Sequence, residues 1–388
     1  MLTKAIWRAE SGRSLRRQIS LSGNCRLFCA STSLQQKTVL FFPGQGVERV
    51  GMLNTIYERF PEIAKEADKA FTAALQNDPD TDTETVKRIW YLLRHNGETQ
   101  PEDVIDIHRT SVAQLAILMS SVLTLKCAAE RLRGKEVCAI MGHSLGQISA
   151  LVAAGVISFT DGIRIVRERG LAMEEAVQDG GRLGVCERQD TGMGMVAVPV
   201  LSKNGSSHEM ARMIEATAKQ AIEANEVVAV ANINSPKQIV VSGHLDAIER
   251  TLQAMAPAVR RSTRLPVRIP FHSPLLRSVE ARMRRVVETV DYKWPPPNYV
   301  GVSIIRNDTA RAIGDVAEVK EAIVQGCWLP VDWQGSVRYA EEEYSGPEWI
   351  GVGSGCSVTG ALVKASLARD CPLLTLDPAK GGEGWSSL

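Results

Sequence analysis

The chain has 388 residues, 44% of them hydrophobic, with a formal net charge of +1. That length and apolar fraction supply the core of one large domain or two modest ones, which excludes a disordered or fibrous chain. Eight cysteines without a CxxC pair or a Cys/His cluster at zinc-ligand spacing argue against a disulfide framework or a metal site and for free thiols in a reducing compartment. The charge is uneven. Residues 1–37 carry Lys4, Arg8, Arg13, Arg16, Arg17, Arg26 and Lys37 against Glu10 alone, a net of +6. An Arg- and Ser-rich, acid-poor opening without a continuous apolar core has the composition of a mitochondrial transit peptide, the alternative being a basic tail with no address. The expectation is import into the mitochondrial matrix.

From residue 38 the pattern is that of a folded domain. Residues 38–42 form a short apolar strand followed at once by the loop Pro43-Gly44-Gln45-Gly46. Helical periodicity runs through 56–75, and a polar linker covers 77–83. The apolar stretch 112–129 is interrupted by Gln114, Ser120, Ser121, Thr124 and Lys126, so it reads as a buried helix and not as a membrane span. Residues 137–141 are a second buried strand, and Ile148, Leu151, Val152 and Val156 recur at near-helical spacing beyond it. Between them stands Gly142-His143-Ser144-Leu145-Gly146, the G-x-S-x-G spacing of a nucleophile elbow, where a strand turns sharply into a helix and presents a serine hydroxyl. Two glycines around a serine also recur in ordinary loops; the strand before and the helix after distinguish this one.

A helix over 161–177 carries Arg164, Arg167 and Arg169, and the plain reading of these arginines is a solvated face. From 193 the rhythm changes. Strand 195–200, helix 210–224, strands 227–233 and 238–242, helix 246–255 and strand 262–267 follow the β-α-β-β-α-β order of a ferredoxin-like unit. Alternation resumes with a helix over 275–290, a strand at 299–304 and a helix over 316–325. The fold class is therefore α/β: an α/β-hydrolase-like large subdomain, 38–192 and 269–388, on a mainly parallel sheet, with a ferredoxin-like small subdomain, 193–268, inserted into it.

A serine nucleophile needs a base within reach and donors for the oxyanion. His272, in Pro270-Phe271-His272-Ser273-Pro274, is the best candidate because two prolines fix the local chain; without Ser144 it would read as a turn-capping histidine. Neither a G-x-x-x-x-G-K-[ST] nor a well-placed G-x-G-x-x-G occurs, so no nucleotide site is indicated.

Taken together, "PGQG" with "GML" soon after, "GHSLG", "VRERG", "ANINSPKQIVVSG", "PFHSPLL", "VQGCWLPVDW" and "VGSGCSVTG" fall in one order across nearly all of residues 38–370. In that order they resemble the malonyl-CoA:acyl-carrier-protein transacylase family of fatty acid and polyketide synthesis, and the basic opening makes the resemblance one to its mitochondrial type. The resemblance implies a ping-pong acyltransferase. Malonyl moves from malonyl-CoA to a serine, CoA leaves, and the phosphopantetheine thiol of acyl carrier protein takes the group. It implies Ser144 as nucleophile, His272 as base, and Gln325 as the residue whose main-chain carbonyl orients the histidine. Arg169 would grip the substrate carboxylate, the amides of Gln45 and Leu145 would form the oxyanion hole, and His143 and Phe271 would line the substrate. Acyl carrier protein and malonyl-CoA or CoA are the implied partners, with no nucleic acid, no metal, no membrane span and no permanently bound cofactor, since phosphopantetheine belongs to the carrier.

Departures from the family pattern are Gln147 where glutamate is common, Ser111-Val112 where Gln-Pro is frequent, and Gly351 and Ser354 in the last block; 182–191 reads as an insertion. A serine hydrolase or thioesterase is the alternative, sharing G-x-S-x-G but usually placing an acid between serine and histidine in chain order. The basic clusters Arg260-Arg261-Arg264 and Arg282-Arg284-Arg285 could meet an acidic carrier protein or be solvated faces.

Overall fold

The structure, a computed structural model, describes residues 36–75, 83–95, 105–179, 192–201, 205–256, 258–259, 261–367 and 369–378. Residues 1–35 of the basic opening, most of the expected linker at 77–83 and the expected insertion at 182–191 lie outside them. The chain begins with β1 (Lys37–Phe42), α1 (Asn54–Arg59), α2 (Pro61–Leu75), α3 (Thr83–Arg94), α4 (Thr110–Cys127) and α5 (Ala129–Leu132). It continues through β2 (Glu136–Gly142), α6 (Gly146–Ala153) and α7 (Phe159–Asp179). The helix expected over 56–75 is thus two, divided where Pro61 forbids an uninterrupted backbone ladder.

Next come β3 (Met193–Pro199), α8 (Ser207–Ala221), β4 (Val228–Ser235), β5 (Gln238–His244), α9 (Leu245–Ala254) and β6 (Thr263–Arg264), the six elements in the order the sequence indicated. The return to the large sheet starts with a 3-10 turn at Pro274–Val279, α10 (Glu280–Glu288), β7 (Ser303–Ile304) and α11 (Val316–Gln325). It ends with α12 (Trp333–Glu343), β8 (Glu348–Val352), α13 (Cys356–Ser366) and β9 (Leu373–Leu376).

The larger sheet has the order β7-β2-β1-β8-β9, with every pairing parallel. Its central strands are buried on both faces, as parallel strands covered by helices must be. Leu40, Phe42 and Ile140 face one apolar cluster, while Val39, Phe41 and Met141 face another. α4 is long and apolar enough by composition to cross a membrane, yet all its residues except Leu125 and Lys126 are buried within the protein, which makes it a core helix.

The smaller sheet is antiparallel, order β4-β5-β3-β6. Strand periodicity divides its side chains. Val196, Val198, Ile239 and Val241 pack under α8 and α9 with Ile214 and Ile248, whereas Met195, Ala231 and Val240 join the core of the large subdomain. A backbone splice fixes the join: Ile233 N donates to Val331 O at 2.9 Å and Val331 N to Ala231 O at 2.8 Å.

Candidate active site

The register of the two central strands creates the site. Phe42 at the end of β1 pairs with Gly142 at the end of β2, so the Pro43–Gly46 loop and the elbow leave the sheet side by side, and His143 N donates to Phe42 O at 3.0 Å. Ser144 has φ 51°, the left-handed conformation that costs a non-glycine residue roughly 1–2 kcal/mol. Both flanking glycines are required by close approach. A Cβ on Gly142 would lie 2.0 Å from the Gly146 carbonyl, and one on Gly146 would lie 2.5 Å from Phe42 O.

Ser144 Oγ lies 2.7 Å from His272 Nε2, and His272 Nδ1 lies 2.8 Å from Leu329 O. A carbonyl only accepts, so Nδ1 carries the proton, Nε2 is the free lone pair and the serine hydroxyl donates to it. His272 is buried, and its pKa is lowered to about 3, first by loss of water and then by the nearby Arg169 charge. The imidazole is therefore neutral at physiological pH and able to take a proton. It too is held at positive φ, 57°, its own N–H bonded to Cys327 O at 3.2 Å.

Gln325, expected to supply the orienting carbonyl, does not. Its carbonyl closes the helical end of α11 by accepting from Trp328 N and Leu329 N, and the chain must complete that turn before a carbonyl faces the imidazole; that carbonyl belongs to Leu329. The Gln325 side chain instead accepts from Arg306 Nη2 at 2.7 Å and donates to Glu321 at 2.7 Å.

Arg169 is 3% exposed, against the plain expectation for a helix arginine, and its Nη2 donates to Gly326 O at 3.1 Å. Arg167 is buried too, while Arg164 pairs with Asp161 at 2.9 Å. A small cleft beside the serine is lined by Ser144, Gln147, Arg169, Asn307, Ile323 and Gly326 among others, all from the large subdomain. The amides of Gln45 and Leu145 have no acceptor among the described residues, whereas the next elbow amides, Gly146 and Gln147, bond to His143 O and Ser144 O.

His143 Nε2 lies 2.9 Å from Asn234 Oδ1 on β4, and burial pushes its pKa down. Phe271 is buried in the main core. Asn307 is the component that sequence reading missed. Its Oδ1 accepts from Ser144 N at 2.7 Å and its Nδ2 donates to Gly142 O at 2.7 Å, clamping the elbow from both ends.

Malonyl CoA-acyl carrier protein transacylase of Salmonella typhimurium is 32% identical to the chain over 299 residues, 77% of this chain and 83% of that protein. The chain belongs to the malonyl-CoA:acyl carrier protein transacylase family. The transacylase of Bacillus subtilis, at 28% identity, matches 85% of the chain and 90% of its own length. The crystal structure of the Xanthomonas oryzae transacylase superposes with a TM-score of 0.68 at 28% identity, covering 88% of this chain and 94% of that one. A malonyl-transacylase solved in complex with its type II polyketide acyl-carrier protein, PlMCAT with AntF, has a TM-score of 0.68 at 26% identity and covers 87% and 94%. No protein-family model matches the chain. Within this transacylase family member, the serine and the buried guanidinium line one cleft and the imidazole bonds to that serine, each supplied by a different segment of the large subdomain.

Proposed function

We propose that this chain transfers the malonyl group of malonyl-CoA to the phosphopantetheine thiol of acyl carrier protein. The observation that carries the reading is a serine bonded to a neutral histidine beside a buried arginine, in a chain of the transacylase family. Ser144 Oγ attacks the thioester carbonyl as its proton passes to His272 Nε2, while the Gln45 and Leu145 amides donate to the oxyanion. The C–S bond breaks as the C–O bond stands, His272 returns the proton to the departing CoA sulfur, and a malonyl-serine ester remains. In the second half the carrier's thiol gives its proton to His272, its sulfur attacks the ester, and the proton returns to Ser144. Leu329 O holds the imidazole tautomer throughout. A neutral carbonyl at Nδ1, where a hydrolase triad usually has an acid, favours the transferase reading over the serine hydrolase. The Arg169 guanidinium, permanently charged and planar, matches a carboxylate and so selects malonyl over acetyl groups.

Intact-mass spectrometry after mixing with malonyl-CoA tests the reading. One malonyl group should map to Ser144, Ser144→Ala should remove it, and His272→Ala should slow its formation by about 100- to 10,000-fold. Normal acylation of Ser144→Ala would sink the nucleophile assignment.

The mitochondrial address is part of the same proposal. It is supported by the net charge of +6 on residues 1–37 and by the start of the first strand at Lys37.

A further inference from the structure

The small subdomain supplies no wall of the cleft, yet its strand β4 reaches the residue before the nucleophile. His143 belongs to the elbow that carries the Leu145 amide, and it packs against the loop that carries the Gln45 amide. Its own N–H bonds to Phe42 O at 3.0 Å, and a Cβ on Gly44 would lie 2.7 Å from His143 O and 3.0 Å from His143 Nδ1. The imidazole thus rests on the bare backbone of Gly44, one residue before Gln45. Its other nitrogen, Nε2, meets Asn234 Oδ1 on β4 at 2.9 Å, while Asn234 Nδ2 donates to Gln238 Oε1 at 3.0 Å. An amide oxygen only accepts, so Nε2 carries the proton and Nδ1, beside Gly44, is the lone pair. Loss of water lowers the pKa of His143, which keeps the ring neutral, and Trp333 packs edge-on against it with ring centroids 5.4 Å apart.

Resting on the function proposed above, we infer that Asn234 is a positioning residue: by fixing the His143 ring against Gly44, it sets the Gln45 amide at the separation from the Leu145 amide that the oxyanion requires. The two donors come from separate loops, one after β1 and one after β2, so their relative placement is what makes a hole. An oxyanion donor acts on charge that develops in the transition state, so an error in its placement costs rate and leaves substrate binding intact. The chain Gln238–Asn234–His143 gives the small subdomain a part in the chemistry from outside the cleft.

Asn234→Leu keeps the branched shape of the side chain and removes the acceptor. In the full-length enzyme, the maximal rate of Ser144 acylation and the half-saturating concentration are measured under single turnover with malonyl-CoA and with acetyl-CoA. The maximal rate should fall by about 10-fold or more for both donors, because a small misplacement at a reacting centre has effects of that order. Half-saturation and the preference for malonyl should stay as in the parent. A support confined to folding would instead lower the thermal unfolding temperature and leave the maximal rate intact, and a direct contact with substrate would raise the half-saturating concentration; either result overturns the inference. Nitrogen NMR of the histidine rings tests it in the parent without any variant: His143 should be the neutral Nε2–H tautomer and His272 the Nδ1–H tautomer. A His143 proton on Nδ1 would overturn the inference even if Asn234→Leu failed to fold. Failure of the function proposed above would show separately, as a parent enzyme that gains no malonyl group at all, and would remove the inference with it.

Discussion

A base works near neutral pH only if it is unprotonated there, and burial does this for His272. Its pKa falls from 6.5 to about 3 because water is excluded and because Arg169 is close. Malonyl-serine formation should therefore show no acid limb as pH is lowered through 6.5, whereas a solvated histidine would lose half its rate there. Stability carries the same sign. The unfolded chain takes up the proton first, so stability is complete above 6.5 and is lost as pH falls from 6.5 toward about 3, a trend that acid-unfolding titration of the parent and His272→Ala would reveal. Arg169 would have two effects in one cleft: the carboxylate grip proposed above, and the depression of the base that its charge already exerts. Arg169→Ala should lower the kcat/KM ratio of malonyl-CoA over acetyl-CoA by about 100-fold or more and move any acid limb upward; lysine should restore part of the selectivity, since a point charge does not reproduce the fork. An unchanged ratio would leave the carboxylate partner unidentified.

The elements hold these groups through contacts that sequence spacing does not reveal. α7 approaches α4 so closely at Gly170 that a Cβ there would lie 2.4 Å from Ser111 Cα, and this seats the neighbouring Arg169 in the cleft. Glu174 on α7 accepts from Ser111 N at 2.8 Å, fixing the same crossing. The loop after β7 carries Asn307, itself anchored by Gln147 Oε1 and backed by the Arg306–Gln325 contact. Asn307→Ala would strip the partners from Ser144 N–H and Gly142 C=O, each costing about 1–3 kcal/mol if left unpaired. Thermal unfolding should shift down and Ser144 acylation should slow by about 10-fold or more, with similar losses for malonyl and acetyl donors. Normal acylation would show that the strained φ of Ser144 is held by the glycines alone. Some element boundaries were legible in advance and others were not. α8 starts at Ser207, earlier than the apolar spacing indicates, because Ser206 and Glu209 form a capping box; the strand expected over 299–304 shrinks to Ser303–Ile304, where Ile305 turns away to bridge Ala312.

Across the whole molecule, charge redistributes on folding. Of the cluster Arg282-Arg284-Arg285, Arg282 pairs with Glu168 and Glu175, and Arg284 with Glu280 and Glu321, so these two arginines are neutralised within the protein. The small subdomain is tied to the elbow through His143 and Asn234, which makes its position a condition of the active-site geometry. The amino-terminal segment belongs to this scale as well. Amino-terminal sequencing of the native protein should find a start near residue 37, with the protein in mitochondria; a terminus at Met1 on a cytosolic protein would end the targeting proposal.

Sequence alone determined what is local or periodic: the elbow, from glycine spacing between a strand and a helix; the six-element order of the small subdomain, from alternating apolar periods; and His272, from its place between two prolines. The family motifs added Arg169, whose own surroundings in the chain read as a solvated helix face. Tertiary structure alone decided which partners complete each group. Leu329 replaces Gln325 because a carbonyl's direction depends on where the helix unwinds. Asn307 reaches Ser144 across 163 residues, and no pattern in the sequence records that contact. Arg169 is buried because α4 and α7 pack at glycine distance, and the Gln147 oxygen is taken by a backbone amide from another segment. These are properties of distance between segments remote along the chain, and a linear pattern of apolar and polar residues carries no distance.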